Sequence, residues 1–322
     1  MKVKIQKKSM LCLAALAISI PVSHGQSSVN ISGFLDIGIY RDSAKTMKIG
    51  PLKRSNIAIS ATEDLGNGLR AHVMLSHRFE TDTGENESFN KPFFHGESTL
   101  GLSGRFGAVK LGRRLDAIYD KQSLFDPWDN FHRIASPAWN VWNSNYPSDP
   151  QGNNNHPEWG RLNNGIYYDS PSVHGFSLHL SGSPETDATA LNKPLATVLL
   201  YKNTRFSGML GYGKNSQGNT DAVVGWKTTF HHLSLMGSYD VSKRNGSTAK
   251  ATTLGLLYKM NPVTLRAGWG RLNRDGDKKK EIFSLGGSYN LSRRTSLYAD
   301  AAHNIFPDKS VNTFSIGISH GF

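Results

Sequence analysis

Val29-Asn30-Ile31-Ser32-Gly33-Phe34-Leu35-Asp36-Ile37-Gly38-Ile39-Tyr40 is the stretch on which the fold of this chain turns. Val29, Ile31, Leu35, Ile37 and Ile39 fall on one face, with Asn30, Ser32, Asp36 and Tyr40 on the other. A period of two held this long defines one extended strand with an apolar face and a wet face. Working outward, 54–62 repeats the pattern, with Ile57, Ile59 and Ala61 opposite Asn56, Ala58 and Ser60. Glu63-Asp64-Leu65-Gly66-Asn67-Gly68 reads as a tight turn by its glycines. Leu69, Ala71, Val73, Leu75, His77 and Phe79 then resume the apolar face. Strand, turn, strand is the repeating unit.

Carried through the chain, the alternation predicts strands at 29–40, 54–62, 69–79, 93–103, 108–115, 161–170, 175–183 and 194–203. Eight more follow at 206–213, 219–229, 232–242, 250–260, 263–272, 281–290, 295–304 and 312–322, sixteen in all. Connections at 104–107, 171–175, 203–205, 230–231, 261–262 and 291–294 are short. Those at 81–92, 184–193, 243–249 and 273–280 are expected to be longer, polar loops. An even number of antiparallel strands of about 9 to 11 residues, with short turns at one rim and long loops at the other, is the pattern of a transmembrane β-barrel. A soluble protein of several sandwich domains is disfavoured, because its strands would average about five or six residues and share a core. Phe34, Phe79, Trp226, Tyr258, Trp269, Tyr289 and Tyr298 lie near predicted strand ends, where aromatic girdles would meet the two membrane interfaces.

Composition agrees. No run of eighteen apolar residues follows residue 25, which excludes spanning helices, and a closed barrel shows the bilayer only every second side chain. Residues 1–25 read as a cleaved signal peptide, with Lys2, Lys4, Lys7 and Lys8 ahead of an apolar 10–20 and Ser23-His24-Gly25 before the cut. That apolar run is too short for an anchor. Cys12, the only cysteine, follows Leu11 rather than the small residue a lipoprotein site needs, so the mature domain 26–322 is expected to lack cysteine. Its stability then rests on packing and hydrogen bonds. Removing four lysines lowers the formal charge from +12 to +8, which suits anionic solutes or lipid better than nucleic acid in an exported protein.

The alternation fails in one long interval, 116–160. It holds five prolines, the run Asn153-Asn154-Asn155, and Trp128, Trp139, Trp142 and Trp159 of the six tryptophans. Asp116, Asp120, Asp126, Asp129, Asp149 and Glu158 stand against two bases, Lys121 and Arg133. So long a loop without a period is expected only where it is functional.

Four motifs carry a family resemblance. Thr62-Glu63-Asp64-Leu65-Gly66-Asn67-Gly68-Leu69-Arg70-Ala71 matches T-E-D-L-G-x-G-L-x-A, and Gly107-Ala108-Val109-Lys110-Leu111-Gly112-Arg113 matches a strand ending in L-G-R. Asn163-Asn164-Gly165-Ile166-Tyr167-Tyr168-Asp169-Ser170-Pro171 and the terminal Ile316-Gly317-Ile318-Ser319-His320-Gly321-Phe322 complete the set, in order and over the whole mature chain. In these the sequence resembles the general porins of Gram-negative bacteria. The resemblance implies an all-β, sixteen-stranded antiparallel transmembrane β-barrel of the outer membrane, a homotrimer whose long third loop folds into the pore. It implies passive diffusion of ions and small hydrophilic solutes, no cofactor, and contact with outer-membrane lipid and lipopolysaccharide. It also implies that Phe322 signals to the barrel-assembly machinery.

For the pore, the resemblance sets loop acids Asp116, Asp120, Asp126, Asp129, Asp149 and Glu158 against a basic wall, giving a transverse field. Alternation places Arg54, Arg70, Arg78, Lys110 and Arg114 on that wall. Arg113 fits the family's pore arginine by motif but points outward by strict alternation, so a bulge is expected there. The family usually carries a base where Asn56 and Tyr167 stand, and Arg54 and Arg161 are the nearest replacements. A basic lumen implies anion preference among small anionic or neutral solutes.

Other chemistry is weakly signalled. Gly317-Ile318-Ser319-His320-Gly321 fits G-x-S-x-G, but a nucleophile elbow needs a helix after the serine and none follows here. His231-His232 sits in a short turn without neighbouring acids or cysteines, so no metal is expected. A ligand-binding or adhesin barrel, working through its outer loops, and an outer-membrane hydrolase are the alternatives.

Overall fold

The computed structural model describes residues 27–42, 44–88, 90–153, 156–185 and 190–322. The expected signal peptide lies outside them, as do Asn154 and Asn155. Strands run Ser28–Arg41 (β1), Met47–Gly50 (β2), Asn56–Gly66 (β3), Leu69–Arg78 (β4), Glu97–Gly104 (β5) and Gly107–Leu115 (β6). The long loop follows, with helices Ala117–Gln122 (α1) and Pro137–Val141 (α2) and a small hairpin of Asp149–Asn153 (β7) and His156–Glu158 (β8). The wall resumes with Arg161–Asp169 (β9), Phe176–Gly182 (β10), Leu195–Lys202 (β11), Phe206–Lys214 (β12) and Thr220–Phe230 (β13). It ends with Leu233–Arg244 (β14), Ser247–Met260 (β15), Val263–Arg274 (β16), Asp277–Asn290 (β17), Thr295–Ile305 (β18) and Ser310–Gly321 (β19).

All wall strands pair antiparallel with their neighbours, and β1 closes the sheet on β19 from Phe34↔Gly321 to Arg41↔Phe314. On its other side β1 pairs with β3 and then with β2, so β2 and β3 are two halves of one stave. The break between them is held by Asp36, whose Oδ1 accepts from Leu52 N at 2.7 Å and Lys53 N at 2.8 Å. With β2 and β3 counted together and the β7–β8 hairpin set aside, the barrel has sixteen staves. At the seam the Gly33 and Phe322 backbones exchange hydrogen bonds of 3.0 and 3.1 Å. Phe322 lays its ring where a Cβ on Gly33 would stand.

The period of two has the expected cause. Val29, Ile31, Leu285 and Ile316 face outward, each more than 60% exposed in the isolated chain, as a lipid-facing band requires. The opposite face buries polar residues, among them Ser238, Thr253, Ser284, Thr313 and Ser315. Closure leaves no wall strand with an unpaired edge in hydrocarbon among the described residues.

Several boundaries differ from expectation. The expected loops 243–249 and 273–280 are two-residue turns, Asn245-Gly246 and Asp275-Gly276, with φ of 49°, 80°, 53° and 90°. Positive φ at both positions is the type I′ turn that follows strand twist, so pairing continues above the membrane after the apolar alternation has faded. The strand expected from 93 begins at Glu97, because Phe93 leaves the sheet to stack on His77 at 4.1 Å between centroids. Phe34 and Tyr298, expected in the girdles, face inward: Phe34 meets Phe131 at 5.9 Å, and Tyr298 Oη donates to Asp36 Oδ1 at 2.9 Å.

Candidate pore constriction

The long loop lies inside the barrel, held to one side of it by an apolar seam. Asp116 caps α1 by accepting from Tyr119 N at 2.8 Å, and Ala117 N donates to Ser181 Oγ on the wall at 2.9 Å. Ile118, Phe125, Ala138 and Val141 of the loop bury against Val198, Met209, Val223, Ala251 and Ile282 of the wall. Glycine makes the fit possible. A Cβ at Gly225 would stand 2.5 Å from the Phe125 ring, and one at Gly268 would stand 2.6 Å from Pro137 and 2.9 Å from Trp128.

Polar latches fix the loop in register on that seam. Trp128 Nε1 donates to Asp300 Oδ1 at 2.7 Å, and His132 Nε2 lies 3.2 Å from Asp300 Oδ2. His132 Nδ1 accepts from Ala135 N, so its proton sits on Nε2, toward Asp300. Asn143 Nδ2 donates to Asp221 and Asp240 at 2.6 and 3.2 Å, and Asn145 N to Ser242 Oγ at 3.0 Å.

With the loop docked from β10 to β18, the opening faces β3, β4, β6 and β9, where the arginines gather. Arg54 forms a two-pronged pair with Glu87 of the second loop, and His95 Nε2 meets the same carboxylate at 3.2 Å. Arg113 contacts Glu158 at 3.3 Å, His95 O at 3.1 Å and Asn163 Oδ1 at 2.6 Å, and Lys91 also pairs with Glu158. Arg133 bonds Glu80 at 2.6 and 2.9 Å and reaches Glu87 at 3.5 Å. Arg161 donates to Gly96 O at 2.8 Å, and Arg78 lies over the Phe131 ring at 5.8 Å. Neither Arg78 nor Arg161 pairs with a carboxylate among the described residues.

Burial alone would raise Glu87. Hydrogen bonds from His95 and Arg54, with the charges of Arg54 and Arg78, outweigh it and hold the carboxyl far below its ordinary value. Glu158 is likewise lowered against its burial, by Arg113 and Lys91. Lys91 is shifted down by desolvation, which its bond to Glu158 only partly offsets.

The expected bulge is present: pairing slips between Gly112 and Arg114, with Gly112 at φ 124°. Two successive arginines thereby reach the interior. Arg114 joins Asp169 at 2.9 Å and Asp120 at 3.3 Å, while Lys110 meets Glu97 at 3.1 Å. Asp129 lies in the field of Lys227, Arg266, Lys259 and Lys53 on the short-turn side.

Four expected site residues have other places. Asp126 is buried and accepts from Trp128 N, Asn130 N and Ser136 Oγ at 3.0 Å and from Ala138 N at 3.2 Å, so it folds the loop instead of facing the wall. Asp116 is equally enclosed, with Ser148 and Tyr119 as donors. Burial raises both carboxyls to about 6. Tyr167 hides its ring at the position of the missing base and donates to Leu162 O at 2.6 Å. Arg70 pairs in register with Asp64 beside the first tight turn, at the rim away from the loop. Ser319 stands within β19, opposite Ser296 at 2.9 Å, and not at a strand-to-helix turn. The groups that reading by sequence missed are Glu80, Glu87, Lys91 and His95 of the second loop and Arg133 of the long one, which resemble any solvated charge until the wall arginines are placed.

A closed sixteen-stave barrel, apolar outside and polar within, narrowed by an internal loop against a basic wall, is a water-filled transmembrane channel. The chain belongs to the Gram-negative porin family, whose profile matches residues 12–308. It is 29% identical to outer membrane porin protein 32 of Delftia acidovorans over 92% of this chain and 89% of that protein. It is 24% identical to an outer membrane porin protein of Bordetella pertussis, over 98% of this chain and 100% of that one. Among solved structures, the anion-selective porin from Comamonas acidovorans shares the fold at a TM-score of 0.79, with 24% identity over 92% of this chain and 100% of that one. The trimer form of OmpT from Vibrio cholerae does so at 0.68, with 13% identity, 92% of this chain and 99% of that one. The protein is thus a porin of the Gram-negative outer membrane, a channel and not an enzyme.

Proposed function

We propose that the channel prefers anions among the small hydrophilic solutes it passes. The observation that carries this reading is the unbalanced constriction. Arg54, Arg78, Arg113, Arg161, Lys91 and Arg133 meet only Glu80, Glu87 and Glu158 there, and Arg78 and Arg161 have no acid partner among the described residues. A low-dielectric wall focuses such a surplus into the lumen, concentrating anions and repelling cations. The anion-selective porin with the similar fold supports the reading. Reversal potentials in a KCl gradient across a planar bilayer test it: chloride should carry the excess current, and a potential of cation sign overturns the proposal.

The pore-lining set we propose is Arg54, Arg78, Lys110, Arg113, Arg114, Asp120, Asp129, Glu158 and Arg161, with Glu80, Glu87, Lys91 and Arg133 added. We further infer a homotrimer, in keeping with the trimer form of OmpT, to be checked by cross-linking in native outer membrane. Removal of residues 1–25, contact with lipopolysaccharide and handling by the barrel-assembly machinery through Phe322 belong to the same reading. Amino-terminal sequencing of the membrane form should begin at Gln26.

A further inference from the structure

Between the arginine wall and the long loop lies a cavity of about 390 Å³ whose lining exceeds what hydrated ions require. Trp139 and Trp159 open their rings into it, 37% and 43% exposed, and Tyr119 packs its ring over Gly160 beside them. The Arg54 guanidinium lies 5.6 Å from the Trp139 ring centre. Trp142, only 8% exposed, also lines the cavity, and its Nε1 has no hydrogen-bond partner among the described residues. Arg161, 3% exposed, presents a guanidinium with no carboxylate beside it among the described residues.

We propose that this cavity is a binding site for aryl carboxylates, a reading that rests on the anion preference proposed above. The two ends of such a solute match two unfulfilled sets of groups. A carboxylate satisfies the Arg161 charge, which no acid meets among the described residues. A flat ring covers the Trp139 and Trp159 faces, which otherwise stand in water, and gains stacking that a saturated ring of equal bulk does not. Space is sufficient, since a cavity of about 150 Å³ already holds benzene in a protein interior. The channel therefore retains aryl anions in passage instead of passing every small anion alike.

The experiment compares benzoate with cyclohexanecarboxylate, of equal charge and similar size, as blockers of single-channel chloride current in a planar bilayer. Benzoate should interrupt the current at roughly five- to tenfold lower concentration. Replacing both rings, Trp139→Leu with Trp159→Leu, should erase the difference, whereas Trp139→Phe with Trp159→Phe should keep most of it. Equal potency of the two acids on the unaltered protein overturns the proposal. If the leucine variant gives no channel steps, that comparison on the unaltered protein decides alone. Should chloride fail to carry the excess current, the anion preference falls and this site with it. Should chloride carry it while benzoate has no advantage, only the aryl site falls.

Discussion

Asp126 shows how one carboxylate can order a loop that has no repeating backbone pattern. It gathers the N–H groups of Trp128, Asn130 and Ala138 and the Ser136 hydroxyl, none of which the apolar seam can serve. Removing it strands four buried donors, three of them backbone amides, each costing about 1–3 kcal/mol. Asp126→Ala should therefore lower amide-exchange protection at 128, 130 and 138 by two orders of magnitude or more, at about 1.4 kcal/mol per tenfold, while the wall strands keep theirs. Unaltered protection at those amides would show that the carboxylate does not hold the loop. Glu87 and Glu158 make a second prediction at this scale. Both are held below their ordinary 4.5, so their pairing is in full effect above that pH and is lost only as pH falls through the lower folded values. Below the range in which Asp116 and Asp126 lose their charge, the chloride-to-potassium permeability ratio should pass through the ordinary glutamate range around 4.5 without a step and rise only under stronger acid, when protonation of Glu87 and Glu158 removes negative charge from the constriction. A rise with its midpoint near 4.5 would mean that the arginines do not hold these acids. Strand alternation, which assigns a side chain to a face, put Arg54, Arg78, Lys110 and Arg114 inward from sequence, whereas Arg113 needed the bulge at Gly112. Asp116 and Asp126 were misassigned because local capping and turn bonds, which decide where a loop acid points, are set by backbone that has no period.

Wall and loop meet through glycines, and the width of the channel is predicted to follow from that contact. Phe125 on Gly225 and Pro137 on Gly268 let the loop lie flush, where any larger wall residue would lift it into the lumen. Gly225→Val should displace Phe125 and push the loop toward the arginines. Its expected signature is a lower single-channel conductance with added flicker, and undiminished conductance would show that the seam tolerates bulk. The strands were legible because the bilayer imposes a two-residue period on every stave, turning each into an alternating pattern readable from 29–40 alone. The inner glycines were not, since a glycine on a lumen face looks the same whether it faces water or a proline. Asn245-Gly246 and Asp275-Gly276 are a different lesson. Their pairs are strong hairpin signals, but polar flanks above the membrane hid them as loops.

Across the whole molecule the positive charge is distributed as a ladder and does not end at the constriction. Lys227 stands two residues beyond Gly225, and Lys259 four beyond Gly255, on wall faces that the loop covers higher up. With Lys53 and Arg266 they surround Asp129 near the short-turn rim. Arg274 and Lys280, bonded to Ser144 and Asn140 of the loop, mark the opposite mouth. An anion passing through would thus meet cations near the short-turn rim, at the constriction and at the opposite mouth, so the anion preference proposed above would come from a summed field and not from a single binding group. Fields of this kind are screened over about 10 Å at 0.1 M salt and about 3 Å at 1 M. The permeability ratio for chloride over potassium should accordingly be largest at 0.1 M and fall toward unity at 1 M, measured as reversal potentials at a fixed concentration ratio. Lys227→Ala with Lys259→Ala should reduce the low-salt ratio and leave the high-salt ratio nearly unchanged, because screening has already removed their contribution there. A ratio independent of salt would place selectivity in close contacts with Arg78 and Arg161 alone, and the outlying lysines would then have no part in it.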